Sequence, residues 1–244
     1  MNAEEYLQRI CTENVQTDLL SLQLLQRNHI HHTPFENLDT SRNIWIDLNL
    51  ETMYQKVITQ KRGGLCFELN PLYNWLLNET GFSPILITGT VAINEKNWGK
   101  KNTHLTNLVE LEGTTYLTDV GFGNSSQTPI PLTGEVVYDG YHHYRIVHHY
   151  EDEFDLQKEA YEEWQTQVHF STEARTLADY EPLSSFVQSD PSSPFTNGVI
   201  VTIATNEGRT TLTNDSLSFT KNAQKTVFDV NEDEWDYLYN LYFR

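Results

Sequence analysis

The chain has 244 residues, with 34 acidic and 16 basic side chains and a formal net charge of -18. It is long enough to bury a core without staples, and its field repels polyanions, which argues against nucleic acid as a partner. Two cysteines, an acidic N-terminus without a leader-like apolar run, and no apolar stretch of spanning length predict a cytoplasmic chain with free thiols and no membrane segment.

In chain order, residues 3–28 place Tyr6, Leu7, Ile10, Leu19, Leu22 and Leu25 at the spacing of two short amphipathic helices around a polar break. Cys11 is expected to face the core on the first of them. A segment His29–Asp39 follows, where Pro34 disfavours helix at Thr33. Residues 50–60 read as another helix leading to a turn at Arg62, and residues 66–78 as a further one, so the first 80 residues form a helical unit. After Gly81 the hydrophobic period changes to two. Residues 85–93, 105–111 and 116–120 are predicted strands, with more at about 134–139, 143–150 and 163–170, which together suggest an antiparallel sheet or barrel. The turn-rich run Asp190-Pro191-Ser192-Ser193-Pro194 then interrupts the pattern. Beyond it, residues 199–204, 210–212 and 217–220 predict a small sheet, and 232–243 a short aromatic helix.

The segment Arg62-Gly63-Gly64-Leu65-Cys66-Phe67-Glu68-Leu69-Asn70 sets a cysteine at the start of a predicted helix, behind a pair of glycines that permit a tight turn. A helix N-terminus carries roughly half a positive charge, which favours a thiolate there. Such a nucleophile needs a base, and the base needs a group that orients it. A two-residue turn at Glu112-Gly113 would pair Leu111 with Thr114. In that register Asp119 faces Thr106, and His104, two residues away on the same face, becomes its diagonal neighbour. A bulge shifting the register by one would separate them.

The order Cys66, His104, Asp119 resembles the arylamine N-acetyltransferases. The nine residues from Arg62 to Asn70 match that family's RGGxCxExN signature, and Pro34-Phe35-Glu36-Asn37-Leu38 its PFENL. His104-Leu105, Asp119-Val120-Gly121-Phe122-Gly123, Pro191-Ser192-Ser193-Pro194-Phe195 and Gly208-Arg209 extend the match along the chain. The resemblance implies an α+β fold around the cysteine-triad core shared with transglutaminase-like and papain-like enzymes: a helical bundle over 1–80 carrying Cys66, an antiparallel β-barrel over 81–190 carrying His104 and Asp119, and a short α/β lid over 191–244. It implies a ping-pong reaction in which acetyl-CoA, as co-substrate, acetylates Cys66 and an aromatic amine or hydrazine then takes the acetyl group. The alternatives are a thiol acyltransferase or hydrolase of the same fold acting on another acyl group, and an inactive binder of CoA or an aromatic ligand.

Further roles are expected for residues in and around these motifs. Arg62 and Glu36 are expected to pair and tie the Pro34 loop to the cysteine turn, with Glu68 and Asn70 as capping and packing hydrogen-bonders. Phe35, Val91 and Phe122 are expected to wall the amine site, Phe122 foremost because it lies between two glycines. Lys100 and Lys101, a basic pair just before His104, are the candidates for the CoA phosphates. The lid is expected to be abbreviated, leaving an open cleft in which the acetyl-enzyme hydrolyses in the absence of amine. No metal site is expected: neighbouring histidines such as His148 and His149 point to opposite faces of a strand, and no regular acidic partner accompanies them in sequence.

Overall fold

The computed structural model describes residues 1–221 and 224–244. Helices α1 (Ala3–Arg9) and α2 (Leu19–His32) open the chain, with Asn2 and Asp18 accepting from the amides of Glu4 and Ser21 at their N-caps. Strand β1 (Phe35–Glu36), α3 (Leu38–Ser41), α4 (Leu50–Tyr54), one π-helical turn over Gln55–Thr59 and α5 (Cys66–Glu79) complete the first part. Helix α2 runs on to His32, past the expected end at residue 28, and stops there because Thr33, ahead of Pro34, is extended. Cys11 is exposed and has a left-handed backbone with φ 51°. The expectation that it faces the core fails because α1 ends two residues earlier, at Arg9.

Eight strands follow: β2 (Pro84–Val91), β3 (His104–Leu111), β4 (Thr114–Thr118), β5 (Ile130–Pro131), β6 (Val137–Tyr138), β7 (His143–Tyr150), β8 (Glu153–Ala160) and β9 (Glu163–Ser171). They form one antiparallel sheet in the order β5-β4-β3-β2-β9-β8-β7-β6, curled so that β5 also packs against β7. The β3–β4 hairpin has the predicted register, Leu111 opposite Thr114 and Asn107 opposite Thr118. Its turn residues Glu112 and Gly113 both have positive φ, 51° and 79°, the twist that suits a two-residue connection.

Helix α6 (Leu177–Ser189) leads to a second sheet of β10 (Ile200–Thr205), β11 (Gly208–Thr213), β12 (Ser216–Lys221) and β13 (Gln224–Asp229), and α7 (Glu232–Phe243) closes the chain. Strand β1 pairs with β10, so the Pro34 loop is stitched into this C-terminal sheet. Strands β8 and β13 and helix α6 lie outside the elements expected from sequence. The charged residues of β8 and β13 blur their alternation, and Pro182 inside α6 hides its period.

The largest apolar core joins Tyr6, Ile10, Leu22, Leu25, Val57 and the buried face of α5 to Val109, Leu111 and Val120. Helix α5 therefore lies directly against the outer face of β3. A second core, with Ile87, Leu108, Leu117, Ile146, Leu156, Val168 and Phe170, fills the concave side of the sheet. These two cores fix where the ends of α5 and β3 meet, and that meeting point is the site.

Candidate active site

Cys66 is the first residue of α5 and only 6 % exposed. The Glu68 carboxylate turns back to accept the Leu65 N–H at 2.9 Å, so one orphan donor at this helix start is met by a side chain. The same carboxylate takes the ammonium of Lys56 at 2.7 Å. Neither Gly63 nor Gly64 has a left-handed backbone; the expected tight-turn role is replaced by one of space. A Cβ on Gly63 would stand 1.9 Å from the Pro34 carbonyl oxygen, so only glycine lets the Pro34 loop come this close.

His104 opens β3, and Asp119 follows β4. Their side chains meet at 2.6 Å between Nε2 and Oδ2, as the register predicts, and they are 3 % and 6 % exposed. Asp119 is held from its other oxygen as well: Oδ1 accepts from the Asn70 amide at 2.9 Å and the Gly121 N–H at 2.8 Å. Asn70 also donates to the Leu105 carbonyl at 2.7 Å and accepts from Val120 N–H at 3.0 Å. It thus clamps the first turn of α5 to both strands that carry the pair, in keeping with the bonding role expected for it. Gly121 stands where a Cβ would lie 2.7 Å from Cys66 Cα and from the Asn70 amide nitrogen. Glycine here is a condition for the helix start to touch the sheet.

Burial alone would lower the proton affinity of His104, but the charge and hydrogen bond of Asp119, and then the Cys66 thiol, push its pKa up to about 10. For Asp119, burial acts to raise the pKa, and the imidazolium, the Asn70 amide and the Gly121 N–H together hold it below the usual carboxylate value. At neutral pH the pair is imidazolium and carboxylate. With Nε2 turned to Asp119, Nδ1 is the nitrogen left for the thiol.

The sulfur lies 3.7 Å from the Thr103 carbonyl and 3.9 Å from the Tyr180 hydroxyl. Tyr180 is completely buried on α6 and also donates to the Thr103 carbonyl. Sequence reasoning missed it together with its helix. The signal was present in Thr176 and Asp179, which cap the helix reciprocally, Asp179 N–H to Thr176 Oγ1 at 3.3 Å and Thr176 N–H to Asp179 at 2.8 Å.

Arg62 grips Glu36 through Nε and Nη2 at 2.9 and 2.7 Å, the expected pair. It also reaches Asp39 at 2.9 Å, and Lys56 bridges Asp39 and Glu68 at 2.7 Å each. Asp39 and Lys56 are members of this network that sequence reasoning did not single out. Lys56 enters it from the π-helical turn, whose side-chain directions an ordinary helical period does not give.

Of the expected wall residues, Phe122 places its ring edge-to-face on His104, with centroids 5.2 Å apart. Val91, two residues from Gly89 on β2, shares the face of His104, which pairs with Gly89, and packs with Phe122 against the concave core. Phe35 belongs to the cluster around Cys66 and meets Phe195 at 5.8 Å. Lys100 and Lys101 are exposed, and the Lys100 ammonium sits 4.8 Å above the Phe186 ring, held by a helix outside the elements expected from sequence. The histidines, in contrast, do have acidic partners. His149 and His169 both contact Asp155 on β8, and His143 contacts Glu159 on the same strand. Sequence reasoning overlooked them because it did not see β8 as a strand.

A family model described as N-acetyltransferase matches residues 18–244. The arylamine N-acetyltransferase of Mycolicibacterium smegmatis is 33 % identical over 89 % of this chain and 82 % of its own length. The solved Mycobacterium marinum arylamine N-acetyltransferase in complex with CoA superposes with a TM-score of 0.91 at 28 % identity, over 99 % of this chain and 92 % of that one. The Bacillus cereus NAT3 arylamine N-acetyltransferase, described as having a unique Cys-His-Glu triad, gives 0.90 at 26 % identity over 98 % and 97 % of the two chains. With its model matched over nearly the whole length, the chain belongs to the arylamine N-acetyltransferase family.

Proposed function

We propose that the chain carries acetyl from acetyl-CoA to an aromatic amine or hydrazine through an acetyl-Cys66 thioester. The observation that carries this reading is the 2.6 Å contact of His104 with Asp119 beside a cysteine at a helix N-terminus. Cys66, as thiolate beside the His104 imidazolium, attacks the thioester carbonyl. The tetrahedral oxyanion is met by the backbone N–H of Cys66, one of the amides without an intrahelical acceptor at the start of α5. Collapse breaks the carbon–sulfur bond to CoA, whose sulfur takes the proton of His104 and leaves as the thiol. His104 is then neutral. It accepts a proton from the amine as the nitrogen attacks the acetyl-enzyme, and expulsion of the Cys66 thiolate restores the starting ion pair.

Asp119 is the positioning residue, fixing the imidazole through Nε2 and stabilising its charge. Phe35, Val91 and Phe122 wall the aryl ring of the acceptor, since Phe122 already packs on the imidazole that would receive the amine's proton. Lys100 and Lys101, exposed ahead of β3, are assigned to the CoA phosphates, in line with the CoA bound to the M. marinum relative. No helix among the described residues is long and apolar enough to cross a membrane.

The test is the intact mass after brief mixing with acetyl-CoA and no acceptor, then peptide mapping, then addition of an anisidine. One acetyl group on Cys66 that disappears as acetylated amine forms is the expected result. A thiol that stays unmodified rules out this donor. An acetyl group that persists when amine is added rules out the acceptor and leaves the hydrolase and other-acyl readings.

A further inference from the structure

A second cluster of imidazoles and carboxylates lies on the far side of the same sheet. On β2, Gly89 pairs with His104 and the next residue, Thr90, with His169; successive residues face opposite sides, so His169 points away from the active site. Across the β8–β9 ladder His169 stands directly opposite Asp155. Glu153, two residues before Asp155, shares that face. In the β7–β8 ladder His148 pairs with Phe154 and Tyr150 with Glu153, which leaves His149 as the extra residue of a bulge. Bulges re-aim side chains, and here His149 turns its Nε2 to Asp155 Oδ2 at 3.0 Å.

His169 places Nδ1 at 2.7 Å from Asp155 Oδ1 and Nε2 at 2.8 Å from Glu153 Oε2. An imidazolium donates to both carboxylates, whereas a neutral imidazole has one N–H and leaves its other nitrogen free to ligate a cation. If Nε2–H donates to Glu153, Nδ1 presents its lone pair to Asp155, the arrangement in which a metal-ligating histidine hands its second nitrogen to an outer carboxylate. Donor atoms of His149, Asp155 and His169 all lie within 4.8 Å of one another. A tetrahedral ion with bonds of about 2.0–2.1 Å keeps its ligand atoms about 3.3 Å apart, so modest side-chain shifts would admit one. The Asp155 side chain is 13 % exposed and Thr166 Oγ1 also donates to its Oδ2 at 3.3 Å, while the two imidazoles are 36–40 % exposed and open to entry.

We propose that His149, Asp155 and His169 form a site for a divalent transition ion of the zinc type, with Glu153 holding the tautomer of His169. Two imidazoles and one carboxylate suit zinc and its neighbours and are too nitrogen-rich for magnesium or calcium. The site bridges β7, β8 and β9 on the side of the sheet away from His104.

The experiment uses the full chain carrying Cys11→Ser and Cys66→Ala, so that no thiol competes, dialysed against buffered Zn²⁺ and assayed for bound metal, with Mg²⁺ as control. One equivalent of zinc and none of magnesium is expected, with a melting temperature that climbs as free zinc rises. Glu153→Gln should weaken binding about 10–100-fold, and His169→Gln should remove the bound equivalent. Anomalous scattering from a zinc-soaked crystal of the unsubstituted protein locates the ion whether or not the variants fold. A peak between His149, Asp155 and His169 supports the site. Zinc only at Cys66, or none at all, would overturn it and leave the cluster bridged by protons alone.

Discussion

Two imidazole–carboxylate clusters share one sheet and face opposite ways, and their surroundings separate their chemistry. On the inner face His104 and Asp119 are 3 % and 6 % exposed, and every oxygen of Asp119 has a donor. On the outer face Asp155 contacts two imidazoles, and the His169 between its carboxylates has a side chain 36 % exposed. The inner pair adjoins a thiol at a helix start; the outer has a second imidazole and a second carboxylate instead. A buried, fully bonded pair beside a nucleophile is equipped to move protons. A half-exposed cluster of two imidazoles and two carboxylates offers the donor atoms to hold a cation. Residue types alone do not distinguish the two.

The largest effect is expected from Cys66→Ala, which removes the only atom at the inner site able to form the acyl-enzyme. Turnover should vanish and no acetyl adduct should appear by mass, while thermal melting stays near that of the unsubstituted chain. Residual ping-pong turnover in this variant would end the covalent mechanism. Next comes Asp119→Asn. Asn70 and Gly121 already donate to Oδ1, so the amide must offer its oxygen to them and its NH2 to Nε2 of His104. That forces the tautomer with the proton on Nδ1, where the thiol's proton is needed. A fall in kcat on the order of 10⁴ is expected, or about 5.4 kcal/mol of barrier, with the fold retained. A loss below tenfold would show that Asp119 does not orient His104.

How much of this could be read from the sequence depended on whether the signal was local. Cys66, His104 and Asp119 were accessible because a two-residue turn at Glu112-Gly113 sets the hairpin register, which converts sequence distance into a diagonal contact. The outer cluster was not, because its carboxylates lie on β8, whose run Glu153-Phe154-Asp155-Leu156-Gln157-Lys158 alternates but carries charge at nearly every outward position. His149 needed a bulge that no local residue announces. Tyr180 was lost with α6, since Pro182, the sixth residue of that helix, reads as a breaker in the sequence.

The third prediction tests the scaffold behind the inner site. Arg62→Ala would leave Glu36, fully buried, without its guanidinium partner, and Asp39 with Lys56 alone. Breaking a buried pair from one side costs about 3–5 kcal/mol, to be read from urea midpoints at constant m. Turnover per folded molecule should change far less than in Asp119→Asn, because Arg62 touches the Pro34 loop and not the imidazole. A stability change under about 1 kcal/mol would mean that water reaches Glu36 and that the network does not hold the cysteine turn in place.

The smallest effect per step is in pH, and it sets His104 against His29, a fully buried imidazole of the helical core packed between Tyr6 and Tyr73. Burial, with no hydrogen-bond partner on either nitrogen among the described residues, and the nearby Arg9 charge lower the His29 pKa from 6.5 to about 3. Above pH 6.5 both folded and unfolded chains hold it neutral. Between about 6.5 and 3 only the unfolded chain takes up the proton, so stability falls with falling pH by about 1.4 kcal/mol per unit. His104 has the opposite sign. With its pKa raised to about 10 against 6.5 unfolded, its contribution is complete below pH 6.5 and is lost as pH rises through 10. Stability should therefore peak near pH 6.5, with an acid limb due to His29 and an alkaline limb due to His104. Urea midpoints at pH 4, 6.5 and 9 check this: His29→Leu should flatten the acid limb and leave the alkaline one, and His104→Gln should do the reverse. If His29→Leu left the acid limb as steep as before, His29 would not be the group that takes up the proton on unfolding.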